Sequence, residues 1–497
     1  MFNNYKTLKI NLKGGIVSPS WLLSVLEIAE KAGINNISFG GRQQLILKVH
    51  NRELTFFYKK MAELEVDIES DSDEFPNILS SYSTAEIFQN NTEGWLSEGV
   101  YQDVLDLFDY KPKLKINICD ALQSYAPFFT GHLNFISSDV PHFWFCFIRF
   151  PKTHRIERFP NLIYTQDLAL FAQRAEYELL EMENLDFLDM PHYLHFTEGL
   201  VMRTPENELI IPRFVMPYYE GVNLYGAKPW IGIYRRNEQF SMRFLKEMCV
   251  LCDKTKVGTL CITTWRSLII KGVLPQDRFV WEKLLGKYGI NVRHAALELN
   301  WHTEDDAPVG FKVKQYLVKE FDKMDVRTFG LLFAIKTRHK SEVFGSVIIR
   351  REPFFQLGKW SFDPFGWFGV FDIFYAEDFN PHSRKRKTHQ LAVPKWRLAL
   401  ELMNLSKKYY AQLTNEKAAS RVAIVQKPKK QVNEIQANVY QCGHCWSVYD
   451  PLFGEPTQGI TEGVAFQELP KEYCCPICEA SKEDFVLFRS SLFHQNH

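Results

Sequence analysis

The chain has 497 residues, of which 46% are hydrophobic and 14% aromatic, with 40 Phe. Its 59 Lys and Arg balance 59 Asp and Glu, which argues against a general polyanion-binding surface and against an acidic, disordered chain. The length suggests about three domains, and ten cysteines are too few for a disulfide scaffold of this size.

The opening MFNNYKTLKINLKGG has no apolar core and no cleavage site of the secretory kind. No run of about 18 apolar residues follows it, so no membrane-spanning helix and no membrane partner are expected. A cytoplasmic protein is the expectation. Residues 21–33, WLLSVLEIAEKAG, carry a helical apolar pattern and lead into a strand–turn–strand over Ile37–Lys48, followed by the helix ELTFFYKKMAELE. The same order returns 223 residues later: MRFLKEMCVLCDKTKVG, then Leu260–Lys271, then DRFVWEKLLGKYG. Cys249 and Cys252, at i,i+3 in an apolar stripe, read as core.

A second correspondence lies further on. FWFCFIRF is followed by a basic loop, Pro160 and the helix DLALFAQRAEYELLEM. FDIFYAEDF is followed by HSRKRKTH, Pro394 and the helix PKWRLALELMNLSKKYY. The fold class is therefore α+β, with two copies of one unit packed about a pseudo-twofold axis. Residues 1–200, including a half-domain over 1–65, form the first copy and 201–415 the second. The run Arg384-Lys385-Arg386-Lys387 reads as a solvated loop. No nucleic-acid partner is expected, because no recognised binding fold accompanies the run. No Walker loop, G-x-G-x-x-G, G-x-S-x-G or H-E-x-x-H occurs, and no catalytic residue is assigned.

Three stretches of this body, ITTWRSLIIKGV, FGGRQQLILKV and KLKINICDALQSYAPFFTGHLNF, resemble segments of the sulfite/nitrite reductase family. The resemblance implies basic residues near a siroheme, whose carboxylates need cations. It makes Arg42 and Arg266 the candidates for binding a tetrapyrrole or a small anion; a role in surface or inter-repeat salt bridges is the alternative. The family also carries an iron–sulfur cluster on two cysteine pairs, C-x5-C and C-x3-C. Between residues 200 and 437 this sequence has only Cys249, Cys252 and Cys261, and Cys119 and Cys146 stand alone earlier. No [4Fe–4S] cluster is expected, and six-electron reduction of an anion by this chain alone is not expected either.

Residues 416–437, EKAASRVAIVQKPKKQVNEIQA, are mixed and weakly patterned and read as a linker. Beyond them, Cys442-x-x-Cys445 and Cys475-x-x-Cys478 are separated by 29 residues. Two such turns build a four-sulfur cage that suits zinc or iron, and spacing leaves the two open. Residues 438–490 resemble rubredoxin. They carry Tyr440, Tyr449-Asp450-Pro451, Gly454, Gly459, Gly463, Phe466, Leu469-Pro470, Pro476, Lys482 and Phe485 around those cysteines. The resemblance implies one iron ion, ferric or ferrous, in the cage of Cys442, Cys445, Cys475 and Cys478. It also implies an aromatic core of Tyr440, Tyr449, Phe466, Tyr473 and Phe485. Metal binding should contribute strongly to folding of so small a unit. Where the family usually has Gly after each C-x-x-C, this chain has Trp446 and Glu479, positions expected to be strained if φ is positive. Cys474 reads as a surface or packing residue, and His444 as an exposed one.

Residues 438–497 carry eight acidic and three basic side chains, a net of −5, which leaves +5 for residues 1–437. The expectation is an electron carrier whose reductase-like body serves for docking. It would deliver single electrons to a partner oxidoreductase, with an assimilatory nitrite or sulfite reductase as the natural guess. Two alternatives are a siroheme-containing anion reductase fed by its own rubredoxin-like unit, and a non-redox protein with structural zinc. The sequence leaves the oligomeric state open.

Overall fold

The computed structural model describes residues 4–70, 74–85, 87, 94–150, 155–181, 197–214, 216, 219–225, 228–290, 298–338, 343–353, 355–357, 360–362, 369–425, 439–445, 447–451 and 453–488. The chain divides into two compact units, 1–411 and 412–497. Eight helices lie among the described residues: α1 (Pro19–Lys31), α2 (Leu54–Glu63), α3 (Glu98–Asp106), α4 (Leu168–Glu181), α5 (Met242–Lys254), α6 (Arg278–Lys287), α7 (Pro308–Lys323) and α8 (Lys395–Val425).

The helix–strand–turn–strand–helix units form as the apolar spacing requires. α1 buries Leu22, Val25, Leu26 and Ala29, and α5 buries Phe244, Leu245, Met248, Cys249 and Cys252. These stripes pack α1 against α5 in one shared core. Pro19 sits in the first turn of α1, where its missing N–H costs nothing. Both helices stop in the same left-handed turn. Gly33 takes it at φ 77 after α1, and Lys256 takes it at φ 59 after α5.

Strands Asn36–Phe39 and Leu45–His50 pair antiparallel, as do Leu260–Ile262 and Leu268–Ile270. The two small sheets exchange edges. Phe240–Ser241 of the second half pairs with Asn36–Phe39, and Ile16–Val17 of the first half pairs with Leu260–Ile262. Such a reciprocal exchange is what a twofold relation between the halves produces.

Each half also has a larger sheet. In the first, Leu79–Ser80, Ile116–Cys119 and Leu133–Ser137 run parallel, and Phe143–Arg149 returns antiparallel. In the second, Trp301–Thr303, Phe333–Lys336 and Val347–Pro353 run parallel, and Gly369–Ala376 returns antiparallel. The same order of parallel and antiparallel neighbours in both halves makes the body a duplicated α+β fold. The basic run 384–387 is not only loop: Arg386 opens the edge strand Arg386–Pro394.

The sequence-based helix over 394–410 is longer in the structure. α8 continues to Val425, through ten residues of the stretch read as a linker. Ala, Lys, Glu and Arg in EKAASRVA are strong helix formers, which explains the extension. The rest of that stretch, 426–437, lies outside the described residues. The C-terminal unit is a three-stranded sheet in the order Val448–Tyr449, Val439–Cys442, Phe485–Phe488. No helix among the described residues is long and apolar enough to cross a membrane.

Candidate metal centre

Two matching turns present the four thiols. Cys442 N–H donates to Ser447 O at 2.8 Å, and Cys475 N–H donates to Ala480 O at 2.8 Å. Each bond closes a loop in which two sulfurs point to one side. The four Sγ atoms all lie within 4.8 Å of one another. Cys442 Sγ and Cys478 Sγ are 3.6 Å apart, and Cys445 Sγ and Cys475 Sγ are 3.4 Å apart. Metal–sulfur bonds of about 2.3 Å in a tetrahedron give edges of about 3.8 Å, so the thiols are already spaced for one ion. They are the grouping of metal-ligating side chains found among the described residues.

The cage is anchored on one side and open on the other. Cys442 and Cys475 are buried, Cys445 is half-buried and Cys478 is exposed. The buried side rests on the aromatic cluster expected from the sequence. Tyr440 stacks on Phe466 at 4.1 Å between ring centroids, and Tyr449, Tyr473 and Phe485 surround Phe466 at 5.7, 6.1 and 5.3 Å. Tyr449 O–H donates to Val464 O at 2.9 Å, and Lys482 Nζ donates to Leu469 O at 2.6 Å.

Hydrogen bonds toward sulfur favour the thiolate at Cys475 and Cys445. At Cys478 the Ala480 backbone N–H is outweighed by burial and the three neighbouring thiols, which push it up to about 12. Burial pushes the Cys475 thiol up, but the Ser447 hydroxyl and the backbone N–H groups of Cys478 and Ile477 outweigh it and bring it down to about 6. The Ser447 hydroxyl and backbone also hold Cys445 below the usual thiol range. Ser447 Oγ lies 2.9 Å from Cys475 Sγ and 3.3 Å from Cys445 Sγ. Sequence reasoning missed Ser447. The signal was a hydroxyl residue two places after the first C-x-x-C. Glu479 adopts φ 62, as the glycine habit at that position implied, and Trp446 lies outside the described residues. His444 is exposed, with Nε2 3.6 Å from Asp484 Oδ1, and Cys474 is half-buried beside Gln458.

The two candidate arginines of the body are elsewhere, in a crevice of about 410 Å³ between the halves. Arg42 Nε and Nη2 donate to Asn77 O at 3.0 and 2.8 Å. Its Nη2 also donates to Ile116 O at 2.8 Å, and Nη1 donates to Asn117 Oδ1 at 3.2 Å. Arg266 is buried. Its Nε and Nη2 donate to Asp305 Oδ1 at 3.2 and 2.8 Å, Nη2 also donates to Thr303 O, and Glu238 Oε2 stands 3.5 Å from Nε. The body's five cysteines, Cys119, Cys146, Cys249, Cys252 and Cys261, are all buried. Burial pushes the Cys249 thiol up to about 12 and the Cys261 thiol up to about 11.

A four-thiolate cage on two turns, backed by aromatic rings, defines a small four-cysteine metal-binding unit. The rubredoxin family matches residues 439–485. The probable rubredoxin HupI of Bradyrhizobium diazoefficiens is 44% identical over 50 residues, 10% of this chain and 72% of that protein. Rubredoxin-1 of Pseudomonas putida is 41% identical over 51 residues, 10% of this chain and 27% of that protein, so this chain spans about a quarter of that relative's length. The chain belongs to the rubredoxin family through its C-terminal unit. The structure of the Mycobacterium tuberculosis NirA protein matches with a TM-score of 0.58 at 12% identity and covers 80% of each chain, a share only the body can supply. The body therefore shares the fold of that protein.

Proposed function

We propose that the chain is a one-electron carrier whose reductase-like body docks a partner oxidoreductase, with nitrite or sulfite assimilation as its setting. The observation that supports it is the preformed four-sulfur cage, with sulfur spacings of 3.4 and 3.6 Å, which supplies all four ligands of a tetrahedral ion. Held there, one iron ion supplies a ferric/ferrous couple. The chain's own residues do the rest. Ser447 and the turn N–H groups stabilise negative charge on sulfur, and the aromatic cluster excludes water from the buried side. The exposed Cys478 edge is the side from which an electron would leave or enter.

The experiment is a visible spectrum of the full chain, oxidised and then reduced with dithionite, together with metal analysis. Thiolate-to-iron bands that bleach on reduction, with one iron per chain, support the carrier. A colourless protein with one zinc per chain after iron-replete growth would replace it with a structural role.

A further inference from the structure

The reductase-family resemblance of the body's segments raised the expectation of a siroheme, and the crevice between the halves is where the two candidate arginines meet. A carboxylate-rich ring needs cations that can turn toward it and an axial donor for its iron. Residues of both halves line the crevice. The 223-residue offset pairs Gly41 with Thr264, Arg42 with Trp265 and Leu79 with His302, and all six line it.

Arg266 is not available to such a ring. It is 7% exposed and held between two carboxylates. Asp305 accepts from Arg266 and, at 3.0 and 3.2 Å, from Gly41 N–H of the other half. Glu238 is shared with Lys314, a side chain 2% exposed whose Nζ also donates to Tyr234 Oη at 2.9 Å. Turning Arg266 outward would leave the buried Glu238 and the half-buried Asp305 with one cation fewer, which is unfavourable. Arg42 is bound in a similar way to Asn77, whose Nδ2 donates to Leu12 O at 2.6 Å and to Arg42 O at 2.7 Å. Three further cations line the crevice: Arg338, whose Nη2 donates to Asp306 O, Lys9, which faces the Asp305 carboxylate, and Lys115. No cysteine lines it among the described residues, and the buried Nδ1 of His302 has no hydrogen-bond partner.

We infer that Arg42 and Arg266 are structural keystones of the crevice and not tetrapyrrole ligands: the Arg266–Asp305–Gly41 network ties the two halves together, and the Arg42–Asn77 network ties its turn to the larger sheet of the first half. This does not rest on the carrier reading, because the iron bands and a tetrapyrrole band are read separately in one spectrum.

The test uses the full chain produced together with siroheme-synthesising enzymes. The expected spectrum has thiolate–iron bands and no Soret band. In a double-mutant cycle, Arg266→Met and Asp305→Asn should each raise the unfolding equilibrium constant of the body at least 100-fold. The double variant should lose much less than the product of the two, and the iron bands should be unchanged. If a single variant is insoluble, Arg266→Lys is measured in its place and should still cost tenfold or more. A Soret band at one ring per chain, lost in His302→Ala or Arg42→Ala, overturns the inference. So does an Arg266 variant whose stability stays within threefold of the parent.

Discussion

Gln43 and Arg266 occupy equivalent positions in the two halves and do the same task. Both sit in the turn between paired strands with left-handed backbones, φ 61 and 54. Both send a side-chain N–H to the carbonyl of the equivalent strand residue, Ser80 for Gln43 and Thr303 for Arg266. Gln43 adds a bond to Ile262 O at 2.9 Å, across to the other half, and accepts from Ser80 N–H at 2.8 Å.

Gln43→Ala removes all three bonds and leaves Ser80 N–H and two carbonyls buried without that partner. The expected loss is about 2–4 kcal/mol in denaturant unfolding of the body. The iron spectrum of the C-terminal unit should not change. A loss below about 1 kcal/mol would mean that water or a neighbouring amide replaces Gln43.

How far such relations show in a sequence depends on which part of the interaction is local. The metal cage is local twice over: each C-x-x-C turn fixes its own two sulfurs, so Cys442, Cys445, Cys475 and Cys478 were readable from spacing and family likeness. The duplication was readable because apolar periodicity survives where identity does not. Arg42 and Arg266 were found by motif, but their partners were not. Asn77, Glu238 and Asp305 lie 28 to 39 residues away and carry no pattern. The edge exchange that sets Ile16–Val17 against Leu260–Ile262 is a long-range pairing of two-residue strands, too short for any periodic signal.

Ser447 is placed to tune the potential of an iron ion held in the cage. In the metal-bound unit the thiolates have no proton, so the Ser447 hydroxyl is the donor to Cys475 Sγ at 2.9 Å. That bond is stronger in the reduced state, where the cage carries more negative charge. Ser447→Ala should lower the midpoint potential by roughly 20–60 mV, a one-electron couple moving about 59 mV per tenfold. Direct electrochemistry of the full chain reads it; an unchanged or raised potential would show that the hydroxyl points away from sulfur.

His382 makes the body acid-sensitive. The ring is buried against Phe128, Phe344 and Phe214 at centroid distances of 4.5, 5.1 and 5.6 Å, and neither ring nitrogen has a hydrogen-bond partner. Burial brings its pKa down to about 3. The native ring stays neutral while the unfolded ring takes a proton below its ordinary value of about 6.5, so stability is intact above that pH and falls steadily toward pH 3. The share due to His382 is about 2 kcal/mol between pH 7.5 and 5. His382→Phe fills the same aromatic site without the nitrogens. It should raise stability at both pH values, by about 2 kcal/mol more at pH 5 than at pH 7.5. Parallel pH profiles for the two proteins would contradict this.

Glu479 holds a left-handed backbone directly after the last ligand. At φ 62 an L-residue costs about 1–2 kcal/mol, and a glycine costs nothing there but loses about 0.5–1 kcal/mol more entropy on folding. The difference leaves a gain of about 0.5–1 kcal/mol for Glu479→Gly. The side chain is exposed, so no packing is lost. Because Glu479 N–H still donates to Cys475 O at 2.9 Å, the turn that aims Cys475 and Cys478 is kept. The measurable result is slower bleaching of the iron bands under chelator, with the potential little changed. Glu479→Ala is the control. It removes the same charge and keeps the backbone cost, so an equal gain from both variants would assign the effect to charge near the cage and not to φ.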